Sequence, residues 1–145
     1  MKAIALALLM FCGLARGDEI VVHLGSYHTS RSYETEVTGE FKRYNNVNPG
    51  IGYRWKNGWA LGTYWNSYKK QTVYVSKEIM FTERFGMELG VGTGYWMVAG
   101  RNVMPVGAFV YKIPLDKEYH VDVLFLPPLG SQLSGVAHLT IARKF

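Results

Sequence analysis

The chain has 145 residues, 16 Lys and Arg against 11 Asp and Glu, and a single Cys. This length supports one domain, and a formal charge of +5 is too mild to argue for nucleic-acid binding. One cysteine excludes a disulfide framework and a Cys-ligated metal centre, so stability must come from packing and hydrogen-bonded strands.

Lys2 supplies a positive start, Ala3 to Leu14 form an apolar run, and the small residues Ala15 and Gly17 precede a cut before Asp18. That pattern predicts a secretory signal peptide over 1–17. Its apolar run is too short to span a bilayer as a helix, and no later stretch approaches the roughly 20 apolar residues required. Any membrane insertion must therefore use strands. Cys12 lies in this segment behind Phe11, which is too bulky for lipoprotein processing. Removing the segment takes away Lys2 and Arg16, leaving 14 basic residues against 11 acidic, a charge of +3 and no thiol. Residues 18–145 carry no linker, charge block or repeat and form one predicted domain. Abundant Gly, Tyr and Trp suit sheets with glycine kinks and aromatic rims.

Period-two alternation predicts eight strands in this domain: Ile20 to His28, Asn48 to Trp55, Gly58 to Trp65, Thr72 to Ile79, Phe85 to Trp96, Val103 to Ile113, Tyr119 to Leu126 and Gly135 to Phe145. A long polar connection, Thr29 to Val47, contrasts with a tight turn at Lys56 and Asn57. Long loops on one rim and short turns on the other are the habit of outer-membrane barrels. The expected fold is an all-β, eight-stranded antiparallel transmembrane barrel in a bacterial outer membrane.

Barrel strands send alternate side chains outward and into the lumen. Phe85, Met87, Leu89, Val91 and Tyr95 share one face; Gly86, Glu88, Gly90, Gly92 and Gly94 share the other. The same sorting sends Ile51, Tyr53 and Trp55 outward and Arg54 inward; Val121, Val123 and Phe125 outward and His120 and Asp122 inward. Leu139, Ile141 and Phe145 point outward, with His138, Thr140 and Lys144 inward. Arg54, Glu78, Glu88, Lys112, His120, Asp122 and Lys144 then fall toward the rim of short turns. Buried charges without partners are costly, so this set is expected to be a paired plug. Above it the inward residues are small or apolar, including Gly50, Gly52, Gly62, Gly90, Gly92, Gly94, Val106, Ala108, Leu124 and Leu126. Two readings of that glycine column stand level: an apolar void suited to a hydrocarbon chain, or glycines relieving curvature while inward Tyr64 and Tyr74 fill the space.

Candidate chemistry is sparse. His23 and His28 fall near the top of the first strand, but no pair of histidines has metal-site spacing, and no metal or cofactor is expected. His23 also reads as a satisfied rim histidine, and Asn66 and Ser67 as ordinary hairpin-tip residues. There is no nucleophile elbow, phosphate-binding glycine loop or calcium loop.

The order of short motifs resembles the lipid A palmitoyltransferases of the PagP type. It runs through Val22-His23, Arg43-Tyr44-Asn45, Asn48-Pro49-Gly50-Ile51-Gly52-Tyr53, Asn57-Gly58-Trp59 and Trp65-Asn66-Ser67-Tyr68-Lys69. It continues through Glu88 to Gly94, Val103-Met104-Pro105-Val106, Phe125-Leu126-Pro127 and the strand to Phe145. The resemblance implies transfer of a fatty acyl chain, held in the lumen, from a phospholipid to lipid A, by a monomer that engages the outer membrane, its phospholipid and its lipopolysaccharide. It places the family's His on His23, with His28 as alternate, and its Ser on Ser67. The family's Asp falls on Asn66, an amide that cannot act as a carboxylate base. Gly90, Gly92, Gly94, Leu124 and Leu126 are the implied acyl-chain contacts, and Pro105 and Pro127 resemble lateral openings, since proline breaks ladder pairing. The family's leading amphipathic helix is missing: only Asp18 and Glu19 precede the first strand. The rival is a non-enzymatic outer-membrane barrel whose loop, bearing Arg31, Glu34, Glu36, Glu40, Lys42 and Arg43, acts in surface binding, exclusion or envelope protection. A soluble periplasmic lipid carrier would need a polar outer face, which the Phe85 to Tyr95 alternation argues against.

Overall fold

The computed structural model describes residues 16–35, 38–96, 100–128 and 134–145. Most of the expected signal peptide, 1–15, and loop residue Glu36 lie outside them. The described residues form ten strands: β1 Glu19–His28, β2 Ser32–Glu34, β3 Phe41–Arg43, β4 Val47–Arg54, β5 Trp59–Trp65, β6 Gln71–Met80, β7 Phe85–Thr93, β8 Val103–Pro114, β9 Tyr119–Leu126 and β10 Val136–Lys144. Eight of them close into a barrel in the order β1-β10-β9-β8-β7-β6-β5-β4, while β2 and β3 form a separate hairpin. Every pairing is antiparallel, and β1 joins β10 from Glu19↔Lys144 to His28↔Val136.

The eight barrel strands are those that the alternation predicts, within one or two residues at most ends. The exception is β7, which stops at Thr93 rather than Trp96 because Gly94 takes φ +86° and ends the extended run. That break also turns Tyr95 inward, against the expected outward face: its hydroxyl shares a hydrogen bond with that of Tyr64 at 2.8 Å. The β2–β3 hairpin was not foreseen, since three-residue strands carry too little alternation to register.

Alternation of side chains is plainest in β6, where Thr72, Tyr74, Ser76 and Glu78 are buried while Gln71, Val73 and Val75 are exposed. Each barrel strand presents a large apolar side chain outward: Leu24, Ile51, Trp59, Val75, Leu89, Phe109, Phe125 and Leu139. The interior holds Arg54, Glu78, Asp122, His23 and several buried hydroxyls. Large apolar side chains thus cover the outer face of the barrel, while the buried polar and charged groups lie within it. Tyr53 departs from the expected pattern: it has outward parity but is 5% exposed, because the segment before β1 lies over it. Its hydroxyl donates to the Asp18 carboxylate, whose other oxygen accepts from the Lys56 amide at 2.9 Å.

The rims differ as expected. One carries the tight turns, such as Trp55 to Trp59, closed by Gly58 at φ +86° and by Trp55 N–H donating to the Trp59 carbonyl at 2.8 Å. The other carries the β2–β3 hairpin and the longer connections.

Candidate functional site

At the turn rim, β4, β6, β7, β8 and β9 bring the inward charges into one network. Arg54 Nη1 lies 2.8 Å from Glu19 and 3.4 Å from Glu78, and Nη2 lies 2.9 Å from Asp122 and 3.9 Å from Glu88. Lys112 reaches Glu78 at 2.8 Å, and His120 lies 3.2 Å from Asp122. Two residues differ from expectation. Lys144 is exposed at the end of β10, outside this network, and Glu19 belongs to it. Glu19 pairs with Arg54 as well as with Lys144, so all three share one face; the acid reaches Arg54, while the lysine, at the last position of β10 on the rim, extends into solvent.

Mid-lumen, His23 Nδ1 and His138 Nε2 share a hydrogen bond at 2.9 Å, and His23 Nε2 shares another with the Tyr74 hydroxyl at 2.9 Å. Both ring nitrogens of His23 are therefore committed, whichever tautomer it holds. Its ring stacks on Tyr64 with centroids 4.8 Å apart. On this side of the lumen the glycines serve the tyrosines. A Cβ at Gly62 would lie 2.6 Å from the Tyr74 ring, and one at Gly50 or Gly52 would meet Tyr64 or Tyr74 more closely still.

The opposite side is open. A cavity of about 880 Å³ descends from the loop rim, within the roughly 300–1,000 Å³ common for small-molecule sites. Val106, Ala108, Leu124 and Leu126 line its apolar wall. The glycines thus accommodate the tyrosines, and the open space lies beside the β8–β9 wall rather than along the glycine column. Among the expected chain contacts, Gly92, Leu124, Leu126, Pro105 and Pro127 line the cavity. Gly90 packs on Val75 and Ser76, and Gly94 on Gln71, apart from that lining. Beside Pro105 the wall is incomplete: the β8–β9 ladder ends at Phe109↔Phe125, while β8 continues up to Val103 paired with β7 alone.

His23, His28, Asn66 and Ser67 all line this cavity, but they are not joined as a triad. A register shift between His23 and Gly25 reverses the parity of β1, so that His23, Ser26 and His28 all turn inward. Five residues apart on a regular strand, the two histidines would face opposite sides. The shift places His23 mid-lumen and His28 at the mouth. There His28 Nδ1–H donates to Asn46 Oδ1 at 3.2 Å, which leaves Nε2 with its lone pair. The ring lies on Tyr44, centroids 3.9 Å apart and planes within 10°. Tyr44 and Tyr68 stand beside it at the mouth, and burial raises both phenols above their ordinary pKa, so they stay neutral hydrogen-bonding groups.

Ser67 Oγ shares a hydrogen bond with Ser26 Oγ at 3.1 Å, and its carbonyl accepts from the Asn45 amide at 2.8 Å. No hydrogen bond joins Ser67 to His23 or His28 among the described residues. The Asn45-Asn46 pair ties the two together instead, one residue holding Ser67 and the next holding His28. Sequence reasoning passed over Asn46 and Ser26; neither has a local motif, and only the closed barrel brings 46, 26 and 67 together.

Asn66 is committed elsewhere. It is 1% exposed, its amide donates to Thr72 Oγ1 and to the Gly94 carbonyl at 3.0 Å each, and its oxygen accepts from the amides of Tyr68 at 2.9 Å and Lys70 at 3.0 Å. It locks the β5–β6 hairpin and its neighbour strand. Among the described residues no group of three or more His, Cys, Asp or Glu is placed to hold a metal ion, and no helix is long and apolar enough to cross a membrane.

No known protein-family model matches the chain, and a search of curated proteins finds no match.

Proposed function

We propose that this chain is a bacterial outer-membrane barrel that moves a fatty acyl chain from a phospholipid to lipid A or a related outer-leaflet lipid, in the manner of the PagP-type enzymes it resembles. One observation carries the reading: a cavity with an apolar wall runs inside a closed barrel and opens beside a histidine whose Nε2 has no hydrogen-bond partner among the described residues. The apolar outer face on every barrel strand supports membrane insertion, with Trp55, Trp59 and Phe81 toward one rim and Trp65 and Trp96 toward the other. Export by the signal peptide and action as a monomer belong to the same reading.

His28, rather than His23, serves as general base. His28 Nε2 takes the proton of the acceptor hydroxyl as that oxygen attacks the ester carbonyl of the donor; the same proton then goes to the departing lysophospholipid oxygen as the ester bond breaks. Asn46 holds the imidazole through Nδ1. The Ser67 hydroxyl stabilises the charge that develops on the carbonyl oxygen. The gap in the β8–β9 wall beside Pro105 and Pro127 gives the acyl chain lateral access from the bilayer, and the apolar cavity keeps water from competing with the acceptor.

The test expresses the full chain in a Gram-negative host without lipid A acyltransferase activity of its own and measures lipid A by mass spectrometry. An added acyl chain, lost in His28→Ala and retained in His23→Ala, is the expected result. Unchanged lipid A from a barrel shown to be inserted by heat-modifiable migration refutes the proposal. That outcome would favour a second reading, a non-enzymatic barrel acting through its loop rim, which the Ser26 contact of Ser67 and the full commitment of Asn66 support.

A further inference from the structure

The cavity's lining changes chemistry with depth. Val106, Leu124 and Leu126 form the wall below the mouth, with His138 opposite Leu124, whereas the deep end, where Glu88 approaches Arg54, holds Glu88 and Ser76 beside Ala108, with His23 and Tyr74 on the facing side. Ser76 Oγ–H donates to Glu88 Oε1 at 2.6 Å, and the other Glu88 oxygen stands 3.9 Å from Arg54. Each carboxylate oxygen has two acceptor sites, so Glu88 keeps capacity on the cavity side after both contacts are counted. A methyl-ended hydrocarbon reaching this level would displace water from the carboxylate, the serine and the tyrosine and offer them no hydrogen bond in return, which is unfavourable for each group.

We infer that the deep end is a subsite for a polar chain terminus: the lumen takes an acyl chain whose buried end carries a hydroxyl or similarly small hydrogen-bonding group, the methylenes lying on the β8–β9 wall and the terminal O–H donating to Glu88. This rests on the reading of the lumen as an acyl-chain site and adds which chain it selects. The plug supplies the reason such a group is tolerated at this depth. Glu88 is held by Arg54 from below, so the carboxylate that meets the ligand is already anchored.

The test titrates the purified full chain in lipid nanodiscs with lauric acid and with ω-hydroxylauric acid, reading affinity from intrinsic fluorescence. The hydroxylated chain is expected to bind about tenfold more tightly, the gain of one hydrogen bond to a charged acceptor. Glu88→Met, which keeps the length of the side chain and removes its acceptors, abolishes the preference. Should that variant fail to insert, Glu88→Gln keeps the Ser76 contact and lowers the preference to about threefold, because a neutral acceptor makes the weaker bond. Equal affinity for the two acids, or tighter binding of lauric acid, overturns the polar subsite and leaves the acyl-chain reading standing. Binding of neither acid overturns both.

Discussion

Arg54 is the point at which the barrel's interior can be tested most directly, by replacing it with Met. The guanidinium is 5% exposed and faces four carboxylates, with contacts of 2.8 Å to Glu19, 2.9 Å to Asp122, 3.4 Å to Glu78 and 3.9 Å to Glu88. Without it, Lys112 and His120 are the basic side chains left facing those acids among the described residues. Removing one side of a buried ion pair costs about 3–5 kcal/mol, since the desolvated partners are left without compensation. That is a large share of the roughly 5–15 kcal/mol that holds a typical domain together. Arg54→Lys keeps the charge but has one nitrogen where two now serve opposite pairs of acids, so it should lose about 1–3 kcal/mol. The assay is reversible urea unfolding of the barrel refolded into lipid vesicles at neutral pH, followed by tryptophan fluorescence. Lys42→Ala is the control: its pair with Glu40, 3.3 Å apart, is exposed on both sides and should be worth less than about 1 kcal/mol. If Arg54→Met lies within about 1 kcal/mol of the wild type, or matches Lys42→Ala, the network does not stabilise the lumen.

Two further outcomes follow from the packing at the other levels. Gly62→Ala puts a methyl 2.6 Å from the Tyr74 ring and should cost about 1–3 kcal/mol in the same unfolding assay; a neutral variant contradicts the packing. Asn66→Asp retains the acceptor for the Tyr68 and Lys70 amides but sets an oxygen against the Gly94 carbonyl, so it should destabilise by about 1–3 kcal/mol. A gain of acyl transfer by Asn66→Asp at unchanged stability would return this position to the chemistry.

The fold was legible because half-buried strands announce themselves by period two. Residues such as Val73, Tyr74, Val75 and Ser76 alternate without interruption, and the ladder follows. Most of the inward charges were legible for the same reason, all but Glu19 and Lys144 at the ends of the β1–β10 ladder. What escaped were the places where alternation is broken by backbone geometry: the register shift after His23, which turns His28 inward, and the positive φ of Gly94, which redirects Tyr95. The candidate site escaped in part because its contacts join distant segments. Asn46 meets His28 across 18 positions and Ser26 meets Ser67 across 41. Nothing in the Arg43-Tyr44-Asn45-Asn46 run distinguishes the asparagine that holds an imidazole from the one beside it that bonds a carbonyl. Asn66 shows the converse: it occupies a position that the resemblance marks for chemistry, while its neighbours use every one of its hydrogen-bonding sites for the hairpin.

The seam between β1 and β10 has a kinetic consequence. It pairs Glu19 with Lys144, contacts separated by nearly the whole of the domain, and the sheet has free edges until it forms. Neighbouring hairpins such as β5–β6 can zip locally, but the last ladder must wait for the final strand and bears the full cost of closing the longest loop. An incomplete chain therefore presents two unprotected edges and an apolar outer surface at once, the combination most prone to aggregation. Assembly of this protein should accordingly be sensitive above all to β10, where a proline at Thr140, opposite His23 and Asp122, would delay closure far more than the same substitution in a hairpin turn.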